Sequence, residues 1–285
     1  MLLRTSFFSA ALWATALMAV PARSQTAPAP VDFEKMTWVE VKAALDQGRT
    51  TALIFNGGTE QRGPQGTNGA HTLVAHEVGI RIAAKLGNAI LAPVVPYSLN
   101  NANPALPGTI GISGPLFASL NEEVAEQMIR NGFKNVVLLG DHGGGQQQLR
   151  EVAAKLDAKY SAKGIRVVYC GDVYAKVGKD FDQWLEDNHL PVGAHASIKD
   201  TSELLYLGGD SGWVRKEEIP DAVGDPVRKP GEPRDPNAKR VNNGISGDAR
   251  RASVEIGRKV VDMKVDYAVA QIRQLLGPAS TGTQQ

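Results

Sequence analysis

From residue 37 onward the chain alternates between short, unbroken apolar runs and longer stretches with helical spacing. The apolar runs are Thr51-Ala-Leu-Ile-Phe55, Ala89 to Val95, Asn135-Val-Val-Leu-Leu139 and Ile165 to Tyr169. Helical spacing is carried by Trp38, Val41, Ala44 and Leu45, and by Val74, Val78, Ile82 and Ala83 within His71 to Leu86. It recurs at Phe117, Leu120, Val124 and Met128, stopped by Asn131-Gly132, and again in Gln146 to Lys163. Strands without polar alternation are buried on both faces. Strands separated by helices of ten or more residues pair in parallel. The pattern therefore predicts an α/β fold, a mostly parallel sheet covered on both sides. A closing helix is predicted over Asp248 to Leu276, with Val261, Val265, Ala268, Ile272 and Leu275 on one stripe.

Three segments break the pattern. Arg4, the 14-residue apolar run Phe7 to Val20 and the small-x-small site Ala22-Arg23-Ser24 read as a cleavable leader over residues 1–24. The run is shorter than the ~20 residues a membrane span needs. The Pro- and Ala-rich stretch that follows predicts a disordered lead-in over 25–36, and residues 278–285 a flexible tail. Val214 to Arg240 holds five prolines and many charges, so it predicts a long irregular loop. That loop covers the site, makes a subunit contact, or is simply solvated.

Composition narrows the function classes. Apolar residues at 42% and a net charge of +1 exclude disorder as the main state and give no electrostatic support for nucleic-acid binding. Loss of residues 1–24 removes two arginines and no acid, so the mature charge is −1. Cys170 is the single cysteine, so an intrachain disulfide is excluded even in an oxidising compartment. Its apolar context reads as a buried structural thiol.

In parallel sheets ligands bind where strands exit. Here the exits carry Gly58-Thr-Glu60-Gln-Arg62-Gly-Pro64 and Gly140-Asp-His142-Gly-Gly-Gly145, dense in glycine and in metal-ligand types. Asp141 is placed to orient a ligand or to cap the next helix. Glu60, His71 and His142 would form a two-nitrogen, one-oxygen set that suits a catalytic divalent ion. His195 is a candidate proton shuttle, and Asp200 either caps a helix starting near Thr201 or takes part in the site. His76 reads as structural and His189 as an exposed helix-end residue. No Gly-x-Ser-x-Gly elbow or phosphate-loop motif appears.

These motifs resemble the creatininase (creatinine amidohydrolase) family. The resemblance runs through Glu60-Gln61-x-Gly63-Pro64, Leu106-Pro107-Gly108-Thr109-Ile110, His142-Gly143-Gly144, His195-Ala196, Thr201-Ser202 and Asn243-Gly-Ile-Ser-Gly-Asp248, in that order. It implies a three-layer α/β/α sandwich in one domain over residues 37–277, assembled as a homo-oligomer, often a hexamer. It also implies metal-dependent hydrolysis of amide bonds in small, often cyclic, non-peptide substrates. The departures carry information. Where the family has a His, this chain has Arg62; where it has a metal-bridging Asp, it has His71. A three-residue gap would place Asn68 there, but Thr72 and Ala75 continue the family's helix pattern behind His71. The family's Asn-Gly-His-Gly-Gly-Asn is Gly140 to Gly145 here, its Glu-Thr-Ser is Asp200-Thr-Ser, and a His ahead of the Pro-Gly-Thr motif is Asn103.

An imidazole presents one nitrogen to one ion, whereas a carboxylate bridges two. The resemblance and its departures therefore imply one divalent ion per chain, zinc before manganese or iron, on Glu60, His71 and His142 with Asp200 as a fourth ligand. Arg62 and Asn103 would contact a small-molecule substrate, and His195 and Arg62 would serve catalysis. Lactone hydrolysis, metal-dependent lyase or isomerase chemistry, and a non-catalytic binding protein are the alternatives. The leader predicts export to the periplasm or medium, with no membrane attachment after cleavage. Intact-mass measurement of the exported protein should place the N-terminus at or near Gln25, and a cytoplasmic chain beginning at Met1 would refute the leader.

Overall fold

The computed structural model describes residues 30–227 and 240–277. The leader at 1–24, residues 228–239 of the 214–240 loop and the tail at 278–285 lie outside the described residues. Four strands, β1 (Thr51–Asn56), β2 (Ala89–Leu91), β3 (Asn135–Gly140) and β4 (Arg166–Tyr169), form one sheet in the order β2-β1-β3-β4. Every pairing is parallel; Thr51 stands opposite both Ala89 and Asn135, and Asn135 opposite Arg166.

The helices are α1 (Trp38–Asp46), α2 (Ala70–Leu86), α3 (Gly114–Arg130), α4 (Gln146–Tyr160), α5 (Ala175–Asp187), α6 (Ile198–Gly208) and α7 (Val254–Leu276). Local chemistry sets their ends. Thr37 and Glu40 form a reciprocal capping box at α1, Ser113 and Ser253 cap α3 and α7, and Gly87 closes α2 at φ 83°. Successive residues of β1 and β3 point to opposite faces. Leu53, Phe55, Val137 and Leu139 pack with Val78, Ile82, Val261 and Ala268 of α2 and α7. Ala52, Ile54, Val136 and Leu138 pack with Phe117, Met128, Leu149 and Leu156 of α3 and α4. The result is a three-layer α/β/α sandwich. Cys170 is buried in the first of these layers, where burial pushes its thiol up to about 12.

Six details differ from the sequence expectation. The strand expected over Ala89 to Val95 pairs regularly only to Leu91, because Pro93 has no amide to donate to a ladder. Helix α5 was not anticipated, although Val177, Phe181 and Leu185 recur every fourth residue on its buried face. Helix α6 begins at Ile198, behind the N-cap Ser197, so Asp200 lies in its first turn and is not the cap. Helix α7 begins at Val254, because Asp248 is spent on a local pair with Arg250. The end of the expected disordered lead-in is docked: Val31 accepts the Leu91 amide, Arg49 donates to the Pro30 carbonyl, and Asp32 pairs with His76. The described start of the 214–240 loop is likewise tied down, through bridges of Val214 to Gly66, Val223 to Asp248 and Asp225 to Ser246.

Gly57 leaves β1 against the start of α2. A Cβ there would stand 2.7 Å from the Thr72 Cα, a backbone atom that cannot swing aside. Gly57→Ala should destabilise the fold by about 1–3 kcal/mol, the typical cost of overpacking. Chemical denaturation checks this; unchanged stability would mean that α2 is free to shift.

Candidate metal centre

The sheet order dictates where the site forms. β1 connects to β2 on one side, and the chain then returns to lay β3 on the other side of β1. The reversal point lies between β1 and β3, whose last residues, Asn56 and Gly140, are in register. The loop after β1 carries Glu60 and Arg62 to the start of α2, and the loop after β3 carries Asp141 and His142. The Pro-Gly-Thr motif clamps the first loop. Ile110 donates to the Thr59 carbonyl at 3.0 Å, the Thr109 hydroxyl accepts the Gln61 amide at 3.2 Å, and Glu60 donates to the Asn68 carbonyl at 2.9 Å. The Asn243 to Asp248 motif does the same for His195, because the Ser246 amide donates to the His195 carbonyl at 2.8 Å.

Glu60 is the hub. Its Oε2 lies 3.3 Å from His71 Nε2, 3.4 Å from His142 Nε2, 3.6 Å from His195 Nδ1 and 3.8 Å from Arg62 Nη2. The donor atoms of Glu60, His71 and His142 lie within 4.8 Å of one another. Two nitrogens and one oxygen at that spacing fit a divalent ion such as zinc or manganese.

Hydrogen bonds decide what each ring presents. His71 Nδ1 donates to Asp141 Oδ2 at 2.7 Å, so its Nε2 lone pair faces Glu60. His195 Nε2 donates to the Gln61 carbonyl at 2.7 Å, so its Nδ1 lone pair faces the same oxygen. His142 Nδ1 lies 3.0 Å from the Gly144 amide, and its ring stands perpendicular to His71 with centroids 5.0 Å apart. The Asn100 amide group reaches His142 Nε2 at 3.3 Å.

Arg62 is buried within this set. Its Nη1 pairs with Asp200 Oδ2 at 2.5 Å, and its Nη2 also contacts His71 Nε2. That contact uses the lone pair a metal would take, so the guanidinium and an ion compete for it. Behind His71, Lys264 Nζ lies 2.6 Å from Asp141 Oδ1 and 2.5 Å from Glu203 Oε1. Glu60 and Asp200 pair with Arg62, and Asp141 and Glu203 with Lys264, while burial raises the pKa of Glu203 against the charge of Lys264.

Two sequence expectations need correction. Asp200 does not join the donor cluster, because Arg62 stands between and its carboxylate also accepts the Ala196 amide at 2.8 Å. This bond supports Ala196 at φ 53°. Asn103 is exposed in a turn, where its side chain accepts the Ala105 amide; Asn100, nearer the strand exit, reaches the site instead. Asp141 orients His71, and α4 is left without a side-chain cap. His76 pairs with Asp32 and Glu77, outside the site. Gln61, Lys264 and Glu203 went unread. Lys264 did leave a signal, as a lone charge within the apolar stripe of α7.

The cluster opens into a cavity of about 830 Å³, walled by α5 and the start of α6, with Tyr174, Lys179, Asp182 and Lys199 around it. The family profile described as creatinine amidohydrolase matches residues 34–272. The chain belongs to the creatininase family. It is an enzyme of the metal-dependent amidohydrolase type, acting on a small-molecule substrate. Solved creatininases share its fold at low identity. A crystal structure of creatinine amidohydrolase superposes with a TM-score of 0.71 at 21% identity, covering 88% of this chain and 99% of that one. A structure described as creatininase Mn gives 0.70 at 21%, covering 87% and 100%. A Bacteroides fragilis structure named for a creatinine amidohydrolase gives 0.66 at 17%, covering 88% and 98%. No curated protein sequence matches the chain. Among the described residues no helix is long and apolar enough to cross a membrane.

Burial, then the charge of Arg62, lowers the His71 pKa to about 4 against the pull of Asp141. The unfolded chain takes up that proton near pH 6.5, the folded one only near pH 4. Folding stability of the metal-free protein should therefore fall as pH drops through this window, by on the order of 3 kcal/mol from His71. Urea denaturation in chelator at pH 7.5 and 4.5 measures the slope, which His71→Asn should reduce. An unreduced slope would show that His71 is not held neutral.

Proposed function

We propose that the protein is a mononuclear metal hydrolase that cleaves an amide C–N bond in a small molecule, with zinc as the working ion. The observation that carries this reading is the pairing of three converging donors, Glu60, His71 and His142, with a buried guanidinium, Arg62, against two of them, Glu60 and His71. A structural neighbour is described as a Zn-Zn type creatininase. In this chain a fixed cation, Arg62, stands beside the donor set and favours one divalent ion over two.

A divalent ion on these ligands supplies Lewis acidity and acidifies water near neutral pH. The chain's own residues divide the remaining work. His195 presents an unprotonated Nδ1 on the cavity side, oriented by its Nε2–H bond to Gln61. Burial and the charge of Arg62 hold its pKa below the usual histidine value, so it is neutral at pH 7. It can accept a proton from attacking water and return it to the leaving nitrogen. Arg62, with Nη1 on Asp200, directs positive charge where a carbonyl oxygen would become negative. Asn100 places an amide on the opposite side of the cluster. The leader read at residues 1–24 assigns this chemistry to the periplasm or medium, and the family resemblance assigns a homo-oligomer.

Elemental analysis of the purified protein should find one tightly bound metal per chain, and two would overturn the mononuclear reading. A panel of cyclic and acyclic small amides, assayed by amine release beside lactones of matched size, tests the bond. Cleavage of lactones alone would reject amide specificity. His142→Ala should lower metal content and turnover together. His195→Ala should keep the metal and lose about 10²–10⁴-fold in kcat. Loss of the metal from His195→Ala would instead make it a ligand.

A further inference from the structure

We infer that Lys264 is a positioning residue of the metal centre, acting through Asp141 on the orientation and tautomer of His71. Lys264 lies on α7, more than a hundred residues from either exit loop, with its side chain 6% exposed. Asp141 and Glu203 beside it are equally buried. Three elements meet on this one ammonium: the β3 exit through Asp141 Oδ1 at 2.6 Å, α6 through Glu203 Oε1 at 2.5 Å, and α7 itself.

The division of Asp141's two oxygens is the key observation. Oδ1 belongs to Lys264, and Oδ2 belongs to His71 Nδ1 at 2.7 Å. A carboxylate anchored at one oxygen cannot rotate freely, so the other is held in line with the imidazole N–H. That bond forces the proton onto Nδ1 and turns the Nε2 lone pair toward Glu60. Without Lys264, Asp141 would be a buried carboxylate with one anchor, free to turn about its Cβ–Cγ bond. The Nδ1–H tautomer would then rest on the Arg62 Nη2 contact at Nε2 alone, and the weaker hold would let His71 sample the other tautomer, whose Nε2–H cannot bind a cation. A Lys–Glu pair is also a weak source of net stability when buried, since apolar replacements of similar size often serve as well. Its retention in the core beneath three ligands fits a positioning role better than a purely stabilising one.

The inference rests on reading His71 as a ligand, and the test separates the two. Lys264→Met alone would strand Glu203 and endanger folding, so the variant is Glu203→Leu with Lys264→Met, which removes the pair and leaves Asp141 intact. Side-chain 15N NMR of the metal-free proteins, with His71 assigned by His71→Asn, reads the tautomer directly. Wild type should show the Nδ1–H form and the double variant a mixture. Zinc affinity, by chelator competition, should fall about 10–100-fold in the double variant. The cobalt-substituted visible spectrum should change in band position, which a general loss of stability would not produce. An unchanged tautomer, or wild-type zinc affinity with an unchanged cobalt spectrum, overturns the inference. If wild type binds no metal, the ligand reading fails and the tautomer alone judges Lys264. If the double variant does not fold, the wild-type spectrum decides: a mixed tautomer at His71 overturns the inference, and the pure Nδ1–H form supports it.

Discussion

Parallel pairing of β1 with β3 is the constraint from which the site follows. The two strands run in register to their last residues, Asn56 and Gly140, so their exit loops leave side by side. Glu60 and His142 are 82 positions apart in the chain yet approach to 3.4 Å for this reason. The pairing in turn depends on β1 and β3 being buried on both faces, which requires the helical layers of α2 with α7 and of α3 with α4. A central hydrogen bond secures the same point, where the Asn56 amide group donates to Asn121 of α3 and to the Leu139 carbonyl of β3. The hydrophobic core and the polar site are therefore one construction. The core aligns the strand ends, and the strand ends bring the ligands together.

The second constraint is electrostatic. Placing four carboxylates in or beside a core costs free energy unless each finds a cation or several donors. Arg62 answers Asp200 and Glu60, and Lys264 answers Asp141 and Glu203. Glu60 is the carboxylate that faces the three histidines. Burial alone would raise the pKa of Glu60, but the hydrogen bond from His142 and the charge of Arg62 hold it well below the usual carboxylate range. A carboxylate kept ionised at the edge of a cavity, with the lone pairs of His71 Nε2 and His195 Nδ1 turned toward it, is prepared for a cation.

Much of this was legible in the sequence, for identifiable reasons. Apolar runs without alternation announced buried parallel strands, and glycine-rich exits announced the loops that hold Glu60 and His142. Elements whose burial is one-sided and late in the chain were harder. Helix α5 carries charges at six of its thirteen positions, so its three buried residues were masked by composition. Asn103 was read from its place ahead of the Pro-Gly-Thr motif, but the chain turns there and its side chain serves that turn. Lys264 could not be paired with Asp141 from sequence, because the contact spans 123 residues and needs the packing of α7 on the sheet.

The departures from the family's motif pattern make physical sense as a set. The family places a metal-bridging carboxylate where this chain has His71, and a glycine where it has Asp141. Exchanging the first alone would bury an imidazole whose Nδ1–H has no partner; exchanging the second alone would leave one oxygen of the buried carboxylate without a donor, the other being held by Lys264. Together they move the negative charge one bond-length group outward, from the position that touches the ion to the position that touches its ligand. Arg62 completes the exchange. A carboxylate offers two oxygens where His71 offers a single nitrogen, and Arg62 brings a fixed positive charge to the same corner. The guanidinium keeps positive charge at that corner of the site without needing a metal to supply it, and Asp200 fixes it there from the far side.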